Sequence, residues 1–110
     1  MSDSSPAIVL CHFRVRPGRE DELLALFRKH DSILRELDLV TDEPAVVYRG
    51  ADRQGRPFLY KIFVWRSEDA VEAAHKHPAV ADLWERMEPL CEDRDGWPSM
   101  EFPHVERIVL

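Results

Sequence analysis

The segment PFLYKIFVW, Pro57–Trp65, constrains the fold of this chain more than any other. Its β-branched and aromatic residues are typical of a strand, whose side chains alternate between two faces. One face carries Phe58, Tyr60, Ile62 and Val64, and the other carries Leu59, Phe63 and Trp65. Because both faces are apolar, the strand has to be covered on both sides.

The length of the chain limits what can provide that cover. With 110 residues, the chain is expected to form one domain. In a domain of this size one set of helices covers one face of a sheet. A second copy of the chain is the simplest cover for the other face, so the sequence predicts a homodimer formed through the sheet face.

The first half of the chain has the pattern of strand, helix and strand. Residues 7–15 are β-rich, and Pro17 and Gly18 end this first strand. Residues 45–52 form a second strand, and the connection RQGR joins it to the third as a hairpin in which Gly55 can adopt a positive φ. Residues 20–37 have helical spacing, with a stripe formed by Leu23, Phe27, His30, Leu34 and Leu37.

The second half repeats the pattern of helix and strand. Ser67 is a candidate N-cap for a helix that runs to about Lys76, and Pro78 then starts a new helical piece. The last segment, MEFPHVERIVL, is predicted to be a final edge or bulged strand interrupted by Pro103. The order β-α-β-β-α-β predicts an α+β, ferredoxin-like fold with a four-stranded antiparallel sheet and helices on one face. Residues 7–110 are predicted to form this single domain, after a flexible N-terminal segment 1–6.

Composition excludes several classes of partner. The net charge is −6 and the pI is about 5.3, which disfavours nucleic acids and anionic membranes. The sheet aromatics could suggest an RNA-binding domain, but the glycines and basic surface of that class are missing. The start, MSDSSPAI, has no signal-peptide pattern, and no apolar run reaches the length of a membrane helix. Cys11 and Cys91 lack CxxC spacing and are expected to be free, buried thiols of a cytoplasmic protein.

Few residues carry a chemical signature. The chain has no nucleotide-binding motif and no nucleophile elbow, so no cofactor is predicted. His75 and His77 are two residues apart and would not share a face of one helix, so no metal site is predicted. Burial in a core or a dimer interface explains Trp65, and burial in the core explains Trp84, without any further function. His75 can be an ordinary helix-end residue, or a base that deprotonates a weakly acidic ligand.

Two longer stretches resemble a known family. VRPGREDELLALF, VWRSEDAVEAAHKHPAVADLW and the predicted order of elements are similar to the antibiotic biosynthesis monooxygenase (ABM) family over about residues 7–92. This family's strand–helix corner is matched by Trp65, Ser67, Glu68, Ala70, His75 and Pro78. The resemblance implies a dimeric α+β barrel with a small apolar pocket between the sheet and the helices.

The resemblance also implies a chemistry. Some members of the family oxidise quinols or anthrone-like aromatic compounds without metal or flavin. For this chain it implies a cofactor-independent monooxygenase acting on a small aromatic or quinol-like compound, with His75 as the candidate base and His77 as the second candidate. The pocket residues it implies are Cys11, Phe13, Tyr60, Trp65 and Trp84. Arg14, Arg49 and Tyr60 are the candidate partners for an anion or a phenol.

Two other functions on the same fold, haem degradation and ligand binding without catalysis, lead to different expectations. The haem-degrading branch of the family uses an Asn, a Trp and a His, and this chain has Cys11, Ala74 and Trp84 at those places, so haem degradation is not expected. The alternative is a non-catalytic, small-ligand-binding or stress-associated homodimer. That alternative predicts a pocket lined only by apolar groups, with His75 and His77 directed into solvent.

Overall fold

An antiparallel sheet built around two long neighbouring strands carries the fold. The computed structural model describes residues 5–110, so most of the predicted flexible segment 1–6 lies outside the described residues. The sheet has the order β2-β3-β1-β4, and β5 pairs with β1 as well. Its strands are β1 (Ala7–Phe13), β2 (Val46–Ala51), β3 (Pro57–Trp65), β4 (Met100–Glu101) and β5 (His104–Val105).

Helices cover one face of this sheet. They are α1 (Glu20–Glu36), α2 (Glu68–Lys76) and α3 (Pro78–Met87), and a short 3₁₀ turn, Glu88–Leu90, follows. Their apolar stripes and one face of the sheet form one hydrophobic core. The predicted α+β class and ferredoxin-like fold are confirmed, with five strands in place of the predicted four.

The fifth strand has a physical origin in Pro103. Proline has no backbone N–H, so it cannot donate a hydrogen bond within a sheet. Its carbonyl still accepts a hydrogen bond from the Leu10 amide at 3.0 Å, which keeps both short strands against β1. The predicted final strand also ends earlier than Leu110, since Val105 pairs with Ile8 and β1 begins only one residue before that.

Register decides which side chains share a face. Ala7 pairs with Trp65 and Cys11 pairs with Lys61, so the odd-numbered residues of β1 and β3 point the same way. We call the helix-covered side the inner face; it carries Val9, Cys11, Phe13, Leu59, Lys61, Phe63 and Trp65. We call the opposite side the outer face; it carries Ile8, Leu10, His12, Val46, Tyr48, Phe58, Tyr60, Ile62, Val64 and Val105.

The corner between β3 and α3 follows the local sequence signals. The Ser67 hydroxyl accepts a hydrogen bond from the Ala70 amide at 3.1 Å, as expected for an N-cap. His77 lies between α2 and α3 in an extended conformation, which a residue before proline favours. Its Nδ1 atom accepts a hydrogen bond from the Ala79 amide at 3.2 Å. The predicted cap at Ser67 and the new helix at Pro78 are both confirmed.

Removing the Ser67 cap is expected to weaken the fold measurably. Ser67→Ala leaves the Ala70 amide without its side-chain acceptor, so the free energy of unfolding should fall by about 1 kcal/mol. Urea unfolding followed by circular dichroism measures this change. Ser67→Asp keeps a side-chain oxygen and should retain near-wild-type stability; equal stability of the alanine variant would show that the cap contributes nothing.

Candidate functional site

A cavity of about 190 Å³ lies between the inner face of the sheet and the helices. Every helix and four of the strands contribute to its wall. Its lining is mostly aromatic or aliphatic, with a few polar side chains: Val9, Cys11, Phe13, Phe27, His30, Lys61, Phe63, Trp65, Val71, His75, Trp84, Met87, Met100, Phe102 and His104. We call this space the helix–sheet cavity.

The cavity brings together most of the residues that the sequence singled out. Cys11, Phe13, Trp65 and Trp84 all lie in its wall. Tyr60 lies on the outer face instead, where its ring centroid is 4.7 Å from that of His12. Strand alternation causes this separation, because Tyr60 and Trp65 differ by an odd number of positions on β3.

The two candidate histidine bases lie in different places. His75 is exposed at the rim of the cavity, and its ring centroid is 4.8 Å from that of Trp84. His77 caps α3 through its ring nitrogen and is not among the residues that line the cavity. His104, from β5, joins His75 in the lining.

The candidate anion partners lie away from the cavity wall. Arg14 continues from β1 and forms an ion pair with Glu101 at 2.8 Å, and it also donates to the Pro98 carbonyl at 2.6 Å. Arg49 lies on β2, the strand farthest from β1. Neither arginine lines the helix–sheet cavity.

Three polar side chains in the cavity wall are joined by hydrogen bonds. Two of them, Lys61 and His30, were not predicted as site residues from the sequence. Lys61 is 2% exposed and His30 is 4% exposed. The Lys61 Nζ atom lies 3.0 Å from His30 Nδ1 and 3.3 Å from the Phe27 carbonyl oxygen. The Trp84 indole donates to His30 Nε2 at 3.0 Å. We call Lys61, His30 and Trp84 the inner triad.

Counting donors and acceptors assigns the protons of the inner triad. An indole N–H can only donate, so His30 Nε2 must carry a lone pair. A neutral imidazole then carries its proton on Nδ1, and this N–H needs an acceptor. An ammonium group offers none, whereas an uncharged amine has one lone pair. The three hydrogen bonds are therefore satisfied together only when Lys61 is an uncharged amine.

Burial shifts each of these groups towards its uncharged form. Burial lowers the pKa of Lys61 to about 8, although Asp31 and Cys11 act in the opposite direction. Burial, assisted by the charge of Lys61, lowers the pKa of His30 to about 3. Burial also raises the pKa of the Cys11 thiol to about 12, against the opposite effect of the charge of Lys61.

The sequence held a weak signal for the missed pair. His30 lies in the apolar stripe of α1, and Lys61 is the one charged residue within PFLYKIFVW. When both faces of a strand are otherwise apolar, a charged residue in it has to be buried or placed at an edge. Only the packing of α1 on β3 shows that His30 and Lys61 face each other.

Residues 5–110 contain no cluster of three or more His, Cys, Asp or Glu side chains arranged to hold a metal ion. Within the same residues, no helix is both long and apolar enough to cross a membrane.

The low pKa of His30 predicts a contribution to acid sensitivity. The folded protein resists protonation of His30 down to about pH 3, whereas the unfolded chain takes up the proton near 6.5. This group's stabilising contribution is therefore complete above pH 6.5 and is lost as the pH falls towards 3. Since each pKa unit is worth about 1.4 kcal/mol, the loss should reach a few kcal/mol.

A variant that does not titrate isolates this contribution. In His30→Gln the amide oxygen can still accept from Trp84, and the side chain has no proton to gain. Urea unfolding of both proteins between about pH 7 and about pH 4 should give a clearly shallower decline for the variant. Parallel declines would show that His30 is not kept neutral by the fold.

Comparisons with known proteins agree on the fold. No protein-family model matches the sequence, and no curated protein matches it. Solved structures do match. SnoaB, a cofactor-independent oxygenase from Streptomyces nogalater, has a TM-score of 0.72 at 15% identity, with 96% of each chain covered.

Two further structures agree with the first. A dimeric ferredoxin-like protein of unknown function from Jannaschia sp. CCS1 has a TM-score of 0.66 at 16% identity, covering 94% of this chain and 100% of its own. An antibiotic biosynthesis monooxygenase has a TM-score of 0.66 at 13% identity, covering 94% and 99%. At such identities the likeness concerns the fold, and in fold this chain is similar to the antibiotic biosynthesis monooxygenases, as its sequence predicted.

Proposed function

We propose that this protein binds a small phenolic or quinol-like compound in the helix–sheet cavity and oxidises it with O₂, without metal or flavin. The observation that carries the proposal is the cavity itself, whose aromatic walls enclose the polar inner triad. An apolar wall binds an aromatic ring, and a few buried polar groups orient its hydroxyl.

The volume of the cavity argues for a single ring. An apolar cavity of about 150 Å³ holds benzene, and the helix–sheet cavity measures about 190 Å³. A fused three-ring compound would need more room than this. A one-ring hydroquinone is therefore the substrate class that suits the cavity best.

The proposed reaction needs no electron donor beyond the substrate. A base removes the hydroxyl proton, and the resulting anion passes one electron to O₂. The substrate radical and superoxide combine through a new C–O bond, and the peroxide then loses water to leave a carbonyl. One oxygen atom enters the ring and the other leaves as water, so a hydroquinone and O₂ give a hydroxyquinone and water.

His75 is the proposed base for a substrate oxygen at the rim. It lies beside Trp84 and is open to solvent, which lets it return the proton to water. Histidine is the side chain most suited to such an exchange near neutral pH. The binding-only alternative predicts a wholly apolar lining with His75 and His77 directed into solvent. The exposure of His75 agrees with that alternative, whereas the presence of Lys61 and His30 in the lining favours the catalytic proposal.

Oxygen uptake tests the proposal. With a panel of one-ring hydroquinones, the wild-type protein should consume O₂, and His75→Ala should lower the rate by about 100-fold or more, as expected for loss of a general base. His77→Asn is the matched control, because it replaces the second candidate and keeps a capping side chain on α3. Absence of turnover would contradict the proposed function, and equal loss in both variants would contradict the role of His75.

We also propose that the protein is a homodimer paired through the outer face. Three apolar side chains there are strongly exposed: Val46 at 43%, Tyr48 at 57% and Val105 at 40%. They flank the half-buried residues Ile8 and Ile62 in one continuous sheet surface. Apolar patches of this kind mark contact surfaces, and the structurally similar Jannaschia protein is described as dimeric.

Sedimentation tests the dimer. The wild-type protein should sediment as a dimer at micromolar concentration, and Tyr48→Glu should shift it towards monomer because a buried unpaired carboxylate opposes association. Tyr48 is exposed on an edge strand, so the monomer should stay folded. Lys29→Glu, on the exposed side of α1, is the matched charge change and should leave the dimer intact. A wild-type monomer would refute the assembly.

A further inference from the structure

Lys61 lies at the inner wall of the helix–sheet cavity, away from the exposed His75. Its neighbours in the sheet are Cys11 on β1 and Val47 on β2, and α1 lies above it. Among the described residues, no carboxylate lies within ion-pair distance of Lys61; Asp31, on the adjacent helix, pairs with Arg35 at 3.1 Å. The fold therefore buries this side chain without a direct ion-pair partner among the described residues.

The inner triad accounts for how such burial is tolerated. When it is uncharged, the Lys61 amine can accept from His30 Nδ1 and donate to the Phe27 carbonyl, since its Nζ atom lies within hydrogen-bond distance of both. If the amine gains a proton, it loses its only acceptor site and conflicts with the His30 N–H. Protonation then requires a new acceptor for the extra N–H of Lys61 and for the His30 N–H, and the cavity that both side chains line is the open direction. An oxyanion on a bound ligand would be such an acceptor.

We propose that Lys61 is the proton acceptor for weakly acidic ligands at the inner wall of the cavity. The hydroxyl O–H bond of a phenol or an enol breaks, a new N–H bond forms on Lys61, and the ammonium pairs with the ligand's oxyanion. No oxidant or reductant is needed for this step. His30 is a positioning residue, since it acts through the contact of its Nδ1 atom with the amine. The inference uses the cavity of the proposed function but not its oxidation step.

The surroundings suit an ammonium–oxyanion pair once it has formed. The rings of Phe27 and Phe63 lie 5.3 and 5.4 Å from Lys61 Nζ, and aromatic faces attract a cation at such distances. In a cavity of low polarity the pair attracts strongly. The titratable groups that face Lys61 or share the cavity are Cys11, His30, Asp31, His75 and His104.

Nuclear magnetic resonance tests the first half of the proposal without a ligand. The chain has only three lysines, Lys29, Lys61 and Lys76, so protein labelled with ¹³C and ¹⁵N at lysine gives three resolvable side-chain signals. Lys29→Arg and Lys76→Arg, both at exposed positions, assign them without disturbing the core. The Lys61 signal should titrate at clearly lower pH than the other two. Titration together with them would overturn the proposal.

Binding of a coloured phenol tests the second half. A nitrophenol absorbs visible light as its anion, so its spectrum reports proton transfer directly. With wild-type protein, the bound nitrophenol should ionise about 1 unit or more below the free compound, as expected beside a cation. Lys61→Met should abolish this shift, and its fold is checked by near-ultraviolet circular dichroism. A nitrophenol that does not bind, or that binds without the shift, would overturn the proposal.

His75→Ala is the matched control that separates the two proton acceptors. If Lys61 takes the proton, His75→Ala keeps the spectral shift even where it lowers oxygen uptake. A shift lost in His75→Ala and kept in Lys61→Met would overturn the role of Lys61 and leave the proposed function standing. Oxygen uptake absent in all proteins, with the shift retained, would refute the proposed function alone.

Discussion

One buried amine constrains how the helices pack on the sheet. Lys61 lies on the inner face of β3, 2% exposed, where an unpartnered polar group would cost about 1–3 kcal/mol. α1 provides a carbonyl and the imidazole of His30, and α3 completes the triad with the Trp84 indole. These contacts require α1, α3 and β3 to approach one another in one arrangement, and the cavity forms beside them.

The two faces of β3 are covered differently. Helices of the same chain cover the inner face and leave the helix–sheet cavity between the layers. The outer face keeps exposed apolar residues such as Tyr48 and suits a second copy. Ligand binding and assembly would then use opposite sides of one sheet, so a change at one side need not disturb the other.

The structural neighbours share the fold at identities of 12 to 16% among those with the highest TM-scores, and such a fold can host many functions. The chemistry of this chain therefore has to be argued from its own side chains. The amine of Lys61 at the inner wall and the exposed His75 at the rim are the two proton acceptors proposed for the cavity, and they lie in different environments. A ligand hydroxyl would meet one or the other according to its depth in the cavity.

Local signals in the sequence were sufficient for most of the fold. Ser67 and Pro78 predicted where two helices begin, because capping and the missing proline N–H are properties of a few adjacent residues. Pro103 predicted an interruption of the final strand, although its division into β4 and β5 and its end at Val105 depend on where β1 begins. Strand pairing is a long-range property, so local patterns do not set such limits.

The candidate site, like the fold, could be predicted from the sequence only in part. The sequence by itself determined that both faces of β3 carry apolar residues, and that Trp65 and His75 belong to one strand–helix corner. Only the tertiary structure decided that Tyr60 lies on the outer face and that Lys61 meets His30, 31 positions away in the chain. The physical reason is that alternation separates the two faces of a strand without saying which face the helices cover, and a buried lysine is recognised only once its partners are in place.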